Sequence, residues 1–351
     1  MVHPASGRAC AIFLGAIAVL AADAGRAQSP PDIVASGAKW EEVSRVGKVF
    51  GEGVVAGKDG KIYLSDITIT PKPEDNPAGT VYKFDPVTGT TSKHLEPSGM
   101  SNGLHVDKNG DLLLAQGAYP KGARSVSRQN MTTGAVTVVA DNYQGKKLDG
   151  PNDITSDAQG RVYFTDALYL SAEAMELPNA VYRVDPNGTL TQISTDILRP
   201  NGIEVSPDGH TLYVAACNST NLKTNPNGPA QDKFGITDGG VVAYDLDGNG
   251  GIANGRVIYR GELCVDGMAM DTGGNLYLAQ HNGNPKDPKR AIAAIDPAGK
   301  VLAQFPVPEE GAFTTNLAFG RGSDAQSLYL STAFPWRLYR ITTSRRGHYF
   351  E

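Results

Sequence analysis

The sequence predicts an all-β fold: a six-bladed β-propeller with four-stranded blades and a central metal site. Three observations carry this expectation. One motif recurs six times along the chain. The alternating apolar runs are separated by Asp-Gly and Asp-Pro-x-Gly turn signals. No stretch carries the apolar spacing of a long helix.

The recurring segments are 52–66, 102–115, 152–166, 201–215, 266–279 and 315–330. Each opens on a polar residue. A short alternating strand, an Asp/Gly turn and a second β-rich strand follow. The period is about 50 residues, the length of a four-stranded blade, and it is stretched once before Asp266. A third strand with its own turn follows in most repeats, at 80–89, 180–188, 240–245 and 291–299. Proline fixes φ and glycine accepts positive φ, so these turns read as hairpins. The run 40–46 is strand-like and belongs to no full repeat. It is expected to complete the last blade beside 327–331 and 337–341, clasping the chain ends. A closed ring leaves only short, protected edges. Residues 39–351 are therefore expected to form one propeller domain, with 28–38 as a lead-in.

The first residues read differently. Arg8 precedes an apolar run at 11–22, and the small-residue stretch 24–27 follows. That run is too short to span a bilayer, and the order matches a cleaved signal peptide, 1–27. A membrane anchor is the competing reading. Cleavage predicts a secreted or periplasmic protein. It leaves Cys217 and Cys264, which fit either one bridge or two buried thiols. No later stretch is long and apolar enough to span a membrane. The chain of 351 residues has a formal net charge of −5 and a pI near 5.7. Nucleic acid and anionic membranes need a concentrated basic patch, so neither is the expected partner. A small molecule is, and no protein partner is implied.

The chemistry is expected where each repeat begins. The inner strand of a blade lines the central channel, and side chains at its start converge on the axis. Those positions hold Glu52, Asn102, Asn152, Asn201, Asp266 and Thr315. All six bear oxygen, and none is His or Cys. That set describes a hard-cation site, calcium first and magnesium second. The competing reading is a set of loop turns made by Asn-Gly and Asp-Gly. It explains the glycines well and Glu52 less well. Loops after the second strands, beginning near 66, 116, 166, 217, 280 and 333, surround the same face. The one at 217–239 is long and rich in Asn, Pro and Gly, as expected of a lid or specificity loop. Tyr169, Asn218, His281, Phe334 and Trp336 are candidates to touch substrate. His281 reads either as a base at the pocket mouth or as a solvated loop residue. His105 faces the channel or sits hydrogen-bonded in the core. His94, His210 and His348 read as surface residues. The run 245–250 imitates the start of an EF-hand loop, but Arg256 stands at the twelfth position, so a hairpin turn is expected.

The set Glu52-Gly53, Pro151-Asn152-Asp153, Arg199-Pro200-Asn201-Gly202 and Asp266-Gly267 resembles the gluconolactonase, senescence marker protein and luciferin-regenerating-enzyme family. Ser101-Asn102-Gly103 and the runs 142–148 and 162–166 strengthen the match, which covers about 52–341. The resemblance implies a six-bladed propeller lactonase with one axial divalent cation. Glu52, Asn152, Asn201 and Asp266 stand at its ligand positions. Calcium is the first expectation, with zinc, manganese and magnesium as alternatives. Asp266 matches the general base, and Asn102 a pocket residue, joined by Asn152, Tyr169 and His281 as substrate contacts. The implied reaction is water attack on a lactone carbonyl, with a bound cation polarising it. The pocket wall departs from the pattern. Relatives often carry Pro-Pro-Tyr-Gly where this chain has 167–170, and animal lactonases have arginine where it has Gly150. Some relatives are phosphotriesterases, so a sugar lactone is one option among several lactones and esters. Two other classes compete: a non-catalytic ligand- or protein-binding propeller, and a strictosidine-synthase-like condensing enzyme. Neither needs Glu52 and Asp266 together on the axis.

Overall fold

The computed structural model describes residues 1, 33–35, 37–45, 50–68, 77–169, 174–218, 227–284, 289–307 and 313–351. The expected signal peptide and most of the lead-in lie outside the described residues after Met1. The rest forms one compact unit from Asp32 to Glu351.

The described residues build six four-stranded antiparallel sheets and one two-stranded hairpin. The chain enters through β1 (Glu41–Ser44). The first blade is β2 (Gly51–Ala56), β3 (Ile62–Asp66), β4 (Thr80–Asp85) and β5 (Thr90–Leu95). The second is β6 (Ser101–Val106), β7 (Leu112–Gln116), β8 (Ser125–Gln129) and β9 (Val136–Ala140). A hairpin, β10 (Asn142–Tyr143) and β11 (Lys146–Lys147), leads to β12 (Pro151–Ser156), β13 (Val162–Asp166), β14 (Ala180–Val184) and β15 (Leu190–Ser194). The fourth blade is β16 (Pro200–Val205), β17 (Thr211–Cys217), β18 (Gly239–Leu246) and β19 (Ile252–Gly261). The fifth is β20 (Cys264–Met270), β21 (Leu276–His281), β22 (Arg290–Ile295) and β23 (Val301–Phe305). The sixth takes β24 (Phe313–Phe319), β25 (Ser327–Ala333), β26 (Arg337–Thr342) and, outermost, β1. The N-terminal run thus completes the last blade, pairing Glu41 with Arg340 and Glu42 with Tyr339. Each inner strand packs on the next, and β24 packs on β2, which closes the ring.

Sequence composition follows position in the blade. Inner strands such as β2, β12 and β20 are buried throughout, lying between neighbouring blades. Outer strands such as β5 and β9 are largely exposed and carry Thr, Ser, Lys and His or exposed valines. The core therefore lies between blades. Tyr163 and Val181 of the third pack with Ile203, Val214 and Val242 of the fourth. A second repeated device fastens four of the six inner hairpins. The hydroxyls of Tyr63, Tyr163, Tyr277 and Tyr329 donate to Asp59, Asp157, Asp271 and Asp324 at 2.6–3.1 Å. Three of those aspartates, Asp59, Asp157 and Asp271, also accept backbone N–H groups of their own turns. In the third and fifth blades this makes the Asp–x–x–Gly spacing of Asp157–Gly160 and Asp271–Gly274 a hairpin lock. The 245–250 run is such a hairpin, with Asp247 accepting from the N–H groups of Asn249 and Gly251. Cys217, ending β17, is disulfide-bonded to Cys264, opening β20, so the bridge ties the fourth and fifth blades.

The inner strands share one irregularity. All six carry a register shift at their first residues, between Gly51/Val54, Ser101/Leu104, Pro151/Ile154, Pro200/Ile203, Val265/Met268 and Thr314/Asn316. A bulge adds a residue, bends the strand and re-aims a side chain. The residue after the site position is glycine in four blades, because the next blade's backbone presses against Gly53, Gly103 and Gly202 and the Asn316 side chain against Gly267. A Cβ on Gly53 would lie 2.3 Å from the Asn102 carbonyl, and one on Gly202 2.4 Å from the Asp266 carbonyl. The third and sixth blades carry Asp153 and Asn316 there instead. Both side chains are buried, each 7% exposed, and they plug the channel above the cavity that they line.

Beneath that plug is a cavity of about 40 Å³, lined by His105, Glu204, Asp153, His348 and Tyr349 among others. It has room for roughly three waters. The C-terminal segment is its floor. His348 N–H donates to the Met270 carbonyl at 2.9 Å, and the Tyr349 hydroxyl donates to the Phe319 carbonyl. Arg321 stacks on Tyr349 at 3.8 Å and pairs with Glu351 at 2.7 Å. His348, expected at the surface, is drawn partly inward because the tail crosses the lower end of the channel and lines the cavity. His94 is also half-buried, against Gln129 and Tyr63. His105 lines the cavity, where burial and then the charge of Arg321 push it down to about 3.

Two stability predictions follow from this geometry. Gly53→Ala is expected to cost about 2 kcal/mol or more, because backbone carbonyls cannot yield as a flexible side chain can. Urea denaturation measures it, and a loss under about 0.5 kcal/mol would contradict the close approach. Glu204 is pushed up to about 8 by burial and then by Asp153, from an ordinary 4.5. Within that window only the folded state holds its proton, so stability falls as pH rises from about 4.5 to about 8. Glu204→Gln is expected to shrink the loss between pH 5 and 8.5 by about 1 kcal/mol or more. Equal losses in variant and parent would contradict the assignment.

Candidate active site on the propeller axis

The bulges set Glu52, Asn102, Asn152, Asn201 and Asp266 at one end of the channel, each only 3–6% exposed. Hydroxyls from neighbouring blades hold their backbones. Ser65 Oγ donates to the Asn102 carbonyl at 2.7 Å, and Thr165 Oγ1 to the Asn201 carbonyl at 2.9 Å. Thr315, the sixth position, spends its hydroxyl on the Gly51 carbonyl at 2.9 Å. It is a clamp between blades rather than a free oxygen on the axis.

Glu52 is held well above the usual carboxylate range, by burial first, then by the charges of Asp266 and Asp153. Asp153 itself is pushed up to about 8, mainly by burial. Two buried acids that repel one another, flanked by asparagine amides, form an oxygen-only donor set. Among the described residues no group of three or more His, Cys, Asp or Glu is arranged for a metal. Four donors are reached here only by adding the amides of Asn152 and Asn201. No hydrogen bond to the Glu52 carboxylate is present among the described residues. A buried carboxylate without donors fits a hard divalent cation, which would satisfy both acids at once.

Asp266 has a specific second partner. Its Oδ2 lies 2.9 Å from His281 Nε2. The Gly283 N–H donates to His281 Nδ1 at 2.9 Å, so Nδ1 is the acceptor and Nε2 carries the proton. The ring stacks on Phe313 at 5.1 Å. His281 is thus a fixed donor to Asp266. This corrects the solvated-loop reading and leaves the neutral ring without a lone pair for base chemistry. Phe313 meets Phe334 at 5.6 Å, and Phe334 meets Phe50 at 5.1 Å. An aromatic arc therefore runs from His281 beside Asp266 round to the neighbour of Gly51-Glu52. Phe334 is 39% exposed and adopts φ +53°, a strained conformation for a bulky residue.

The opposite wall is phenolic. Tyr119 and Tyr169 both feel the charges of Glu52 and Asp266, and burial holds both phenols protonated. Tyr119 OH accepts from Asn102 Nδ2 at 3.3 Å. Tyr169 OH donates to the Pro200 carbonyl at 3.1 Å, so it offers its ring rather than its hydroxyl. Two expected contacts are absent. Trp336 is fully buried against Gly51, where a Cβ would meet its ring at 2.5 Å. Asn218 is committed to the fourth-blade loop, through Asp232, the Ile236 carbonyl and the Arg199 N–H. Tyr119 was legible and missed: it follows Gln116 by three residues, as Tyr169 follows Asp166.

Known proteins share this architecture. A gluconolactonase of Zymomonas mobilis is 28% identical over 91% of this chain and 83% of its own length. The pentonolactonase XacC of Haloferax volcanii is 26% identical over 81% of each. Among solved structures, a gluconolactonase of Xanthomonas campestris superposes with a TM-score of 0.66 at 21% identity, covering 90% of this chain and 95% of that one. A regucalcin of Agrobacterium tumefaciens, described as a calcium-binding protein, gives 0.65 at 18%, covering 89% and 96%. The SMP-30/Gluconolactonase/LRE-like region matches residues 114–334, which include Asn152, Asn201 and Asp266, so the chain belongs to this family.

Proposed function

We propose that this chain is a divalent-cation-dependent lactonase, with calcium as its working ion. The observation that carries the reading is the buried pair Glu52 and Asp266, flanked by Asn152 and Asn201 at bulged strand ends. Relatives named gluconolactonase and pentonolactonase support a lactone as the substrate class. The calcium-binding description of the regucalcin that shares the fold supports the choice of ion. Glu52, Asn152, Asn201 and Asp266 would hold the cation, which when bound polarises the lactone carbonyl and stabilises the developing oxyanion. Asp266 takes the proton from the attacking water as the water oxygen bonds to the carbonyl carbon, and passes it to the ring oxygen as the ring C–O bond breaks. His281 donates to Oδ2 and so fixes the orientation of the Asp266 carboxylate. The amides of Asn102 and Asn152 donate to substrate oxygens, with Asn102 oriented by Tyr119. The lower chamber, about 40 Å³ and bordered by the buried Asp153 and Asn316, is too small for a sugar lactone, which favours substrate entry from the Glu52–Asp266 face. We further propose that 1–27 is a signal peptide and that the mature chain works outside the cytoplasm. The Cys217–Cys264 disulfide supports an oxidising compartment.

Hydrolysis of glucono-1,5-lactone by the mature chain, followed as acid release, tests the reading. Chelation is expected to abolish it and calcium to restore it, with zinc, manganese and magnesium compared. Asp266→Asn is expected to lower kcat by roughly 10²-fold or more with the fold retained. A folded Asp266→Asn protein with undiminished kcat would remove Asp266 from the base role.

A further inference from the structure

Arg199 is 1% exposed, and its Nε, Nη1 and Nη2 all lack a hydrogen-bond acceptor. No other buried arginine among the described residues is unpartnered at all three nitrogens. Arg124 reaches Asp149 and the Leu148 carbonyl, and Arg161 reaches Asp157 and the Gly248 carbonyl. The main chain of Arg199 is fixed on both sides. Its N–H donates to Asn218 Oδ1 at 3.1 Å, and its carbonyl accepts from the Cys217 N–H at 3.0 Å. What meets its head is the face of Tyr169, 4.3 Å from the guanidinium carbon to the ring centroid.

A guanidinium stays charged in a protein. Burying one without an acceptor is among the costliest features a fold carries, and a ring face offsets only part of it. The missing acceptor is supplied most simply by a ligand, and a planar five-donor fork suits an oxyanion. Position narrows the ligand further. The guanidinium lies behind the Tyr169 ring, and Tyr169 stands on the pocket wall with Tyr119 and Asn152. Tyr169 also lines a small cleft of about 10 Å³ with Tyr119, Asn152 and the small residues Gly117, Gly150 and Ala167, and Arg199 is not among its walls. The cleft has room for about one water, so an oxyanion reaches Arg199 when the Tyr169 ring turns aside.

We infer that Arg199 recognises an oxyanion borne by the substrate, a carboxylate or phosphate placed away from the carbonyl that is opened, with Tyr169 as the door over it. The inference rests on the lactonase reading for its substrate, and on Arg199 alone for its charge.

The test compares neutral glucono-1,5-lactone with glucaro-1,4-lactone, which carries a carboxylate, and 6-phosphoglucono-1,5-lactone, which carries a phosphate. The proteins are the parent, Arg199→Met and Arg199→Lys. Anion binding is read separately, without turnover, as the thermal shift given by glucarate or inorganic phosphate. The parent is expected to favour one charged lactone at least tenfold in kcat/KM, mainly through KM, and the favoured lactone identifies the oxyanion. Arg199→Met is expected to erase that preference and the matching thermal shift, and Arg199→Lys to recover part of both. Equal handling of neutral and charged lactones by the parent, with no Arg199-dependent shift, would overturn the inference and leave the lactonase reading standing. An Arg199-dependent shift without turnover of any lactone would keep the anion site and reject the lactonase reading. Should Arg199→Met not fold, the parent's preference and the Arg199→Lys protein decide the matter.

Discussion

The crowding of six backbones around one axis governs the rest of the molecule. At the open end each inner strand gains one residue, and the bulge turns a polar side chain where a regular ladder would have kept it in register. The adjoining glycines are the geometric condition for this. Gly53, Gly103 and Gly202 each face the carbonyl of the next blade's site residue, with no room for a Cβ. The hydroxyls of Ser65, Thr165 and Thr315 then bond neighbouring inner-strand carbonyls and set the spacing between blades. A change at one of these positions acts on two blades at once.

The same crowding creates the electrostatics. Glu52, Asp153 and Asp266 come together in a buried space that hydrates none of them well, and Glu52 and Asp153 are held toward their protonated forms. The two halves of the pocket answer this differently. On the fifth, sixth and first blades, His281 donates to Asp266, and an aromatic arc of Phe313, Phe334 and Phe50 shields the acids from water. On the second to fourth blades the acids face phenols and, behind them, the unpaired Arg199. One wall of the pocket is therefore aromatic, and the other is phenolic with the Arg199 guanidinium packed behind Tyr169.

Much of this was legible in the sequence. The repeat period and the Asp-Gly turns fixed the number of blades, and the run at 40–46 announced the closing strand, because those signals are local and recur in phase. The axial residues were legible for the same reason. What escaped is set by contacts between blades. Thr315 stands in phase with the acids, but its hydroxyl is taken by Gly51, a residue about 264 positions away. Trp336 reads like a pocket aromatic until the side-chain-free Gly51 draws it into the core. His348 follows no repeat, and only the course of the tail across the channel mouth brings it inside. The role of His281 depends on Gly283 N–H, a bond that chooses the tautomer and has no sequence signature.

The central claim is that the bulged ends of four inner strands form one hard-cation site, and calorimetric titration of calcium into the metal-stripped mature chain tests it most directly. The account predicts a single site per chain, abolished by Glu52→Gln and weakened by Asn201→Ala. Binding of calcium by Glu52→Gln with the parent's affinity and stoichiometry would contradict it.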